Sequence, residues 1–357
     1  MVKFFDMKLA NKDIDISKII SGVINSYEFS LGEFVNDFEK KYSEYLDIKY
    51  CVGVGNGTDG LELALISLDV KPGDTVLTVA NAGFYASTAI NSIGAIPYFI
   101  DVSDDNLLID LEKLHNLLEK KLFSAVVITH LYGQAVNMKK VKEMIKEFNI
   151  KIVEDCAHAH GGLFDNQKLG TFGDVGVFSF YPTKNLGAIG DGGAVVTNNE
   201  KIFEKLISLR QYGWTEKYYV KNIYGRNSRL DAIQAAVLSA KLEYLDKWNT
   251  NRIEIAKQYL KGLKDTPLNL NENLSNNPPH IFPLRTKDRN KLIFHLDNSG
   301  IQTGIHYPVP DHLQEVFNHQ NIKLKITEKS SKEIISIPIY PNMPINDINY
   351  VIKSIKE

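Results

Sequence analysis

Short apolar runs alternate with helix-like stretches between residues 50 and 200 of the chain. Runs of strand length lie at 50–55, 74–80, 96–102, 124–133 and 150–156. Between them, apolar residues recur at helical spacing in 58–68, 87–94, 108–121 and 138–149. The alternation predicts an α/β fold, with a mostly parallel sheet between helices. Ligands of such sheets bind beyond the carboxyl ends of the strands, so we expect the functional site there.

The pattern changes after the fifth predicted strand. Two short strands, predicted at 174–180 and 192–198, flank a glycine-rich loop that contains Lys184. A long helical region follows, and Ser228 and Asp231 have the spacing of a capping box at its start. We therefore expect a helix to begin close to Asp231.

The C-terminal third is predicted to form a second, smaller α/β unit. The helical pattern ends near Leu263, and the polar, proline-bearing segment 265–280 is typical of a surface connection. A strand, a helix, an extended stretch and two further helical patterns follow. We expect a large domain with an N-terminal arm over residues 1–245 and a small C-terminal domain over residues 246–357.

Composition and charge exclude several classes of partner and site. The 357 residues include 41 basic and 43 acidic side chains, which gives a net charge of −2 and no global field for nucleic acid or an anionic membrane. The cysteines, Cys51 and Cys156, form no CxxC pair, so we expect neither a zinc site of that kind nor a disulfide framework. The first residues contain no long apolar stretch, and we expect a cytoplasmic enzyme without a signal peptide or membrane span.

The loop after the first strand is the first candidate for ligand binding. Glycines at 53–65 permit a sharp turn, and Thr58 lies where the next helix begins. Free N–H groups at a helix N-terminus bind phosphate well. The plain alternative is a tight turn in which Thr58 only caps the helix.

A second candidate lies at the end of the fifth strand. Asp155 lies where the ligand crevice is expected, and His158 follows within reach of the same ligand. A carboxylate at this place can hold a protonated ring nitrogen. The alternative is that Glu154 and Asp155 are solvated charges and that His158 is a core histidine.

Two further candidates come from the loop and the helix start described above. Lys184 becomes a nucleophile towards an aldehyde when desolvation or neighbouring groups lower its pKa. Ser179 offers a hydroxyl just before it, and Asn227 and Arg229 precede the later helix. The alternatives are a surface lysine in a turn and simple helix capping by Asn227 or Ser228.

Together these features describe the needs of pyridoxal phosphate (PLP). A phosphate cradle, a carboxylate for the ring nitrogen, a neighbour for the ring and a lysine for the aldehyde all fall in one α/β region. The carboxylate keeps the ring protonated, so that the ring withdraws electrons. The lysine bonds to the aldehyde and can move protons.

The chain resembles the DegT-type nucleotide-sugar aminotransferases, which have the type I PLP-dependent transferase fold. The resemblance covers essentially the whole chain and is carried by GNGTDGLELAL (55–65), EDCAHAHG (154–161), FSFYPTKNLGAIGDGGAVVT (178–197), YGRNSRLDAIQAA (224–236) and HYPVPDHLQ (306–314). The stretch ANAGFYAS (80–87) replaces a more usual PxHTF-like sequence and looks like the subgroup that acts on dTDP-linked 3-oxo-6-deoxyhexoses.

The resemblance implies a role for each matching residue. Lys184 would bond to the cofactor, and Asp155 would pair with its ring nitrogen. His158 would lie near the phenolic oxygen of the ring and Phe84 would stack on its face. The phosphate would be held by residues of two loops and of a second subunit, namely Gly57, Thr58, the backbone of Asp59, Ser179 and, from the partner of an obligate homodimer, Asn227. We expect the Asp59 side chain to turn away from the phosphate.

The implied reaction transfers an amino group from L-glutamate to C3 of a dTDP-linked 3-oxo-6-deoxyhexose. The product, a 3-amino-3,6-dideoxyhexose, would enter a surface polysaccharide or a glycosylated metabolite. Candidate substrate contacts are Tyr181, Arg229, His306 and Tyr307, although Arg229 could only bridge helices and the HYP run could be a structural turn. A 4-oxo sugar substrate remains open, and so does a PLP-binding regulator without turnover. PLP-dependent sugar dehydratases carry histidine in place of the lysine, so Lys184 argues against that class.

Overall fold

The computed structural model describes residues 1–320 and 322–357. Its strands are β1 Tyr50–Val54, β2 Thr75–Val79, β3 Ile96–Ile100, β4 Ala125–Thr129, β5 Lys151–Asp155, β6 Leu163–Phe164, β7 Gln167–Lys168, β8 Val175–Ser179, β9 Gly193–Thr197, β10 Trp214–Glu216, β11 Tyr219–Val220, β12 Asn269–Leu270, β13 Phe282–Arg285 and β14 Ile334–Ile337. Its α-helices are α1 Met7–Ala10, α2 Ile16–Ser26, α3 Gly32–Leu46, α4 Gly57–Ser67, α5 Tyr85–Ser92, α6 Leu111–Leu118, α7 Met138–Ile145, α8 Glu200–Leu209, α9 Ala232–Leu242, α10 Leu245–Leu263, α11 Arg289–Asn298, α12 Lys325–Glu333 and α13 Ile345–Lys356.

A seven-stranded mixed sheet forms the centre of the molecule, in the order β1-β9-β8-β5-β4-β2-β3. The pairs from β8 through β5, β4 and β2 to β3 are parallel, whereas β9 runs antiparallel to both β1 and β8. The strands of this sheet occur where the apolar runs predicted them, and the expectation of a mostly parallel α/β sheet is confirmed. The carboxyl ends of β4, β5 and β8 therefore lie side by side.

Apolar side chains cover both faces of this sheet. On one face, residues of α4, α5 and α8 pack in a single cluster against Val76, Val127 and Val195. Another cluster joins residues of α3 and α9 to Phe178, Ala194 and other sheet residues. Strands buried on both faces read as continuous apolar runs, which explains why these strands were visible in the sequence.

The C-terminal part contains the three-stranded sheet β12-β13-β14. The helix α10 begins at Leu245, next to the domain boundary predicted at 245/246, and Val2 pairs with Ile301 across the two parts of the chain. The segment 265–280 is more than the predicted surface connection. Leu274 and the residues 278–280 are buried: the Pro279 carbonyl accepts from Arg252 of α10, and the His280 N–H donates to the Tyr132 carbonyl just after β4.

The predicted capping box at the start of α9 is wrong. Asp231 is the N-cap residue, but its side chain makes no capping hydrogen bond. The Ser228 hydroxyl instead accepts from the Gly55 N–H at 3.0 Å and donates to the Asp59 carboxylate at 2.6 Å. Ser228 therefore ties the start of this region to the loop after β1 rather than to its own helix.

Among the helices of residues 1–320 and 322–357, none combines the length and the apolar character that a membrane span requires.

The buried carboxylate of Glu154 fixes the end of β5. Its two oxygens accept hydrogen bonds from the backbone N–H groups of Phe172 and Gly173, each at 2.7 Å, and of Gly170 at 3.0 Å. The ring of His130 completes the set at 3.0 Å; its Nδ1 accepts from the Val136 N–H, so its Nε2 donates to Glu154. The alternative of a solvated Glu154 is wrong, because Glu154 is fully buried.

We predict that Glu154→Ala lowers the free energy of unfolding by about 3 kcal/mol or more, because it leaves several buried N–H groups without an acceptor. Urea unfolding measures the change. Glu143→Ala, at an exposed position on α7, is the matched control and should unfold like the wild type. Equal midpoints for the Glu154→Ala and Glu143→Ala proteins would contradict the prediction.

Candidate active site

A cavity of about 580 Å³ opens at the carboxyl ends of β4, β5 and β8. Its lining includes nine of the residues selected from the sequence, namely Gly57, Thr58, Asp155, His158, Ser179, Tyr181, Lys184, His306 and Tyr307. Four sequence segments thus meet at one place. The position agrees with the expected ligand crevice of a parallel sheet.

The N-terminus of α4 forms one end of the cavity. Asn56 caps the helix by accepting from the Asp59 N–H at 2.8 Å, so Thr58 is not the cap residue. The N–H groups of Gly57 and Thr58 lie in the first turn, where a helix offers them no internal acceptor. Gly57 packs directly on Ser179, since a Cβ there would lie 2.7 Å from the Ser179 Cβ. The arrangement is a cradle for an anion.

The Asp59 side chain turns away from this cradle, as expected. Its carboxylate accepts from Ser228 and lies 3.6 Å from the guanidinium of Arg226, which also pairs with Glu62. The negative charge in the first turn of α4 is thereby balanced, which leaves the helix end free to attract a phosphate.

Asp155 is the last residue of β5 and is buried in the cavity wall. Its carboxylate accepts from the Ala157 N–H at 3.1 Å and from the Thr129 hydroxyl at 3.4 Å. Burial raises the pKa of Asp155, while these bonds and the nearby Lys184 amine lower it. The alternative of a solvated Asp155 is wrong, because this carboxylate is buried. A buried carboxylate with few hydrogen-bond donors stabilises a cationic partner strongly.

His158 presents a neutral imidazole to the cavity. Its Nδ1 accepts from the Tyr132 N–H at 3.3 Å, so the ring proton resides on Nε2. Burial lowers the pKa of His158 well below its usual value, and the Lys184 charge acts in the same direction. His158 is thus a hydrogen-bond donor of fixed tautomer beside the ligand space.

Lys184 lies in the tight loop between β8 and β9, half-buried against the cavity. The loop is held by backbone bonds such as Ala188 N–H to Phe180 O at 2.8 Å, and by the buried Lys241, whose ammonium donates to the Gly187 carbonyl at 2.6 Å. Burial lowers the pKa of Lys184 to about 8, although the Asp155 carboxylate opposes the shift. The amine is therefore available as a nucleophile near neutral pH, unlike a surface lysine.

The structure places Phe84 outside the cavity. Its ring packs with Phe317 and Phe99 in a separate apolar cluster, at 5.7 Å from the Phe317 ring. Tyr85, the next residue, lines the cavity instead. Phe84 has a φ of +71°, which directs two neighbouring side chains in different directions, and sequence spacing alone does not reveal this.

Besides Phe84, the lining of this cavity lacks three residues selected from the sequence, namely Asp59, Asn227 and Arg229. Asn227 is exposed and pairs through its backbone with Gln211, while Arg229 is half-buried. Conversely, the cavity wall includes His280 and Thr129, which were not selected from the sequence. Thr129 ends β4, so the strand-end rule could have found it, whereas His280 falls in the segment interpreted as a surface connection.

The chain is similar to known aminotransferases over almost its full length. The model of the DegT/DnrJ/EryC1/StrS aminotransferase family matches residues 11–356. A dTDP-3-amino-3,4,6-trideoxy-alpha-D-glucose transaminase from Micromonospora megalomicea subsp. nigra is 40% identical, over 96% of this chain and 94% of the relative. A dTDP-3-amino-3,6-dideoxy-alpha-D-galactopyranose transaminase from Aneurinibacillus thermoaerophilus is 37% identical, over 99% of each chain.

A solved structure has the same fold. The crystal structure of S. venezuelae DesV in complex with a ketimine intermediate superposes with a TM-score of 0.95 and 35% identity, over 99% of this chain and 97% of that chain. The expected type I PLP-dependent transferase fold is thereby confirmed.

We predict that covalent attachment of PLP to the cofactor-free protein becomes faster as the pH rises towards 8 and then levels off. The pKa of about 8 means that the Lys184 amine loses its proton in this range, and only the neutral amine attacks an aldehyde. Borohydride trapping followed by peptide mass spectrometry measures the rate at Lys184. Nα-acetyl-lysine, which has a free ε-amine, is the reference under the same conditions. An attachment rate at Lys184 that keeps rising with pH in parallel with this reference would contradict the prediction.

Proposed function

Because the chain belongs to the DegT/DnrJ/EryC1/StrS aminotransferase family, we propose that it is a PLP-dependent sugar-nucleotide aminotransferase. It transfers an amino group from L-glutamate to C3 of a dTDP-linked 3-oxo-6-deoxyhexose and forms a dTDP-3-amino-3,6-dideoxyhexose. The observation that carries the proposal is the meeting of Lys184, Asp155 and the N-terminus of α4 in one cavity.

The residues of the cavity fit PLP. The cradle at Gly57, Thr58 and Ser179 suits a phosphate, since Gly57 leaves no room for a Cβ and its helix end supplies free N–H groups. The buried Asp155 carboxylate suits a protonated ring nitrogen, and the neutral His158 suits a ring oxygen that accepts a hydrogen bond. Because Tyr85 lines the cavity, it is proposed to take the stacking role that the resemblance implied for Phe84.

PLP bound there supplies an aldehyde for attachment and a ring that withdraws electrons from the reacting carbon. Lys184 would hold the cofactor covalently, and its Nζ would accept and return the proton at the reacting carbon. Asp155 would keep the ring nitrogen protonated. His158 would donate from Nε2 and hold the orientation of the ring.

The sugar nucleotide is assigned to the open side of the cavity. Tyr181 is 53% exposed, and it lines the cavity together with His306 and Tyr307. Burial lowers the pKa of His306 to about 4, so its imidazole is neutral and serves as a hydrogen-bond partner rather than a charge. Arg229 is proposed to reach the substrate from the mouth of the cavity.

The preference for C3 is supported by the two relatives described above, which are named for 3-amino sugars. The two sugars differ at C4, which carries no hydroxyl in the first and a galacto hydroxyl in the second, so the proposal leaves the configuration at C4 open. The homodimer with shared sites, the domain boundary at 245/246, the cytoplasmic location and a place in polysaccharide biosynthesis are part of the same proposal.

A panel of dTDP-linked 3-oxo and 4-oxo 6-deoxyhexoses, incubated with glutamate and the PLP-loaded protein, tests the function. We expect an amine at C3 by NMR. Lys184→Ala should reduce turnover by roughly a thousandfold or more, because no amine remains to move the proton.

Two outcomes would contradict this proposal and favour a different function. An amine found only at C4 would favour a 4-oxo sugar-nucleotide aminotransferase. A protein whose visible PLP absorption is insensitive to glutamate, and that forms no sugar amine from any member of the panel, would favour a PLP-binding regulator.

Mixed dimers test whether Asn227 acts on the partner's site. Lys184→Ala and Asn227→Ala proteins, each poorly active, should regain about a quarter of wild-type activity after mixing, refolding and reassembly, because half of random dimers contain one intact composite site. Activity is measured with glutamate and the preferred keto sugar. No recovery in verified mixed dimers would exclude a site completed by Asn227 of the partner subunit.

A further inference from the structure

Asp311 connects two cavity segments that lie far apart in the sequence. It is 1% exposed at the end of the run HYPVPD. One carboxylate oxygen accepts from the Phe84 N–H at 3.0 Å, and the other accepts from the Ser87 hydroxyl at 2.6 Å. The Asp311 N–H in turn donates to the Ala80 carbonyl at 2.8 Å. Three hydrogen bonds of one residue thus hold the loop between β2 and α5.

The held loop has an unusual backbone. Phe84 is the N-cap of α5 at φ +71°, and the cap has no side-chain hydrogen bond of its own. Gly83 has φ +82°. A non-glycine residue at positive φ persists where its surroundings fix it, and the bond from the Phe84 N–H to Asp311 is such a constraint.

This backbone turns Tyr85 into the cavity wall. The Phe84 side chain is anchored in the apolar cluster with Phe317, so Tyr85 faces the other way. The Tyr85 ring meets the Tyr307 ring edge to face at 6.3 Å. A Cβ on Gly83 would lie 2.8 Å from the Tyr307 ring and 2.9 Å from the Tyr85 ring, so both rings pack against this glycine.

We propose that Asp311 is a positioning residue that holds the Tyr85 ring in the cavity wall by fixing the start of α5. The inference rests on the proposed function in one respect, namely that Tyr85 contacts the bound cofactor. The Phe84 N–H and the Ser87 hydroxyl both lie at the start of α5. One carboxylate can therefore accept from both of them at the same time. Burial raises the pKa of Asp311 to about 7, and the two hydrogen bonds partly offset that shift.

Four variants separate positioning from simple stability. Asp311→Leu removes both acceptors at similar size, and Asp311→Asn keeps an oxygen for the Phe84 N–H. Tyr85→Leu removes the ring and leaves the Asp311 bonds in place. Asp297→Leu, at an exposed position of α11, is the control for the substitution itself and should behave like the wild type.

Hydrogen–deuterium exchange of the cofactor-free protein is the first measurement. We expect the peptide that covers 81–88 to exchange faster in Asp311→Leu than in the wild type, with protection restored in Asp311→Asn. Unchanged protection in Asp311→Leu would overturn the proposal. If Asp311→Leu does not fold, Ser87→Ala removes one of the two donors and is expected to show the same change in smaller degree.

Titration with PLP and the kinetics of the loaded enzyme are the second measurement. Asp311→Leu and Tyr85→Leu should each weaken PLP binding and lower kcat/KM by about tenfold, since a displaced contact residue misplaces the reacting groups. In the double variant, PLP affinity and kcat/KM should fall no further than in either single variant, because both changes remove the same contact of Tyr85. Multiplicative losses, or a normal PLP affinity in Asp311→Leu, would overturn the proposal. Exchange and PLP affinity require no sugar substrate, so they decide the role of Asp311 even if the proposed reaction fails.

Discussion

An amine and a carboxylate share one buried cavity, and the rest of the site depends on what burial does to both. Desolvation disfavours each charged form, so it lowers the pKa of Lys184 and raises that of Asp155. Each group also stabilises the charge of the other. As a result, the pKa of Lys184 lies near neutral pH, and a cationic partner would stabilise the Asp155 carboxylate. Under the proposed function, the protonated ring nitrogen of PLP would pair with Asp155, and its aldehyde would bond to the Lys184 amine.

The scaffold keeps these two groups in register. Glu154, the neighbour of Asp155, faces the opposite side of β5. Its carboxylate accepts hydrogen bonds from three backbone N–H groups and from the His130 ring. Lys241 holds the Lys184 loop from beneath through the Gly187 carbonyl. Both supports come from side chains that do not touch the ligand space, and both cost desolvation of a charge. Such buried polar groups define one arrangement of the chain where apolar packing alone allows several.

Candidate site residues could be predicted from the sequence where they lie at or just after the carboxyl end of a predicted strand. Asp155 and Lys184 were predictable because buried parallel strands read as apolar runs and ligands bind at their carboxyl ends. Tyr85 was missed in favour of Phe84, since only the positive φ of Phe84 decides which of two adjacent rings enters the cavity. His280 was missed because polar and proline residues around it indicate a loop, and burial of a loop depends on long-range packing. Ser228 fitted a capping box locally, but the distant Asp59 competes for its hydroxyl.

The wall formed by Ile305, His306 and Tyr307 has a consequence for biosynthesis of the protein. Translation delivers a chain from its N-terminus, and early parts begin to fold before later parts leave the ribosome. A nascent chain that has already released Lys184 still lacks this wall and the Asp311 bonds that order the facing loop. Under the proposed function, binding of PLP in the complete cavity would therefore be a late event, which follows docking of the C-terminal segment beside the sheet.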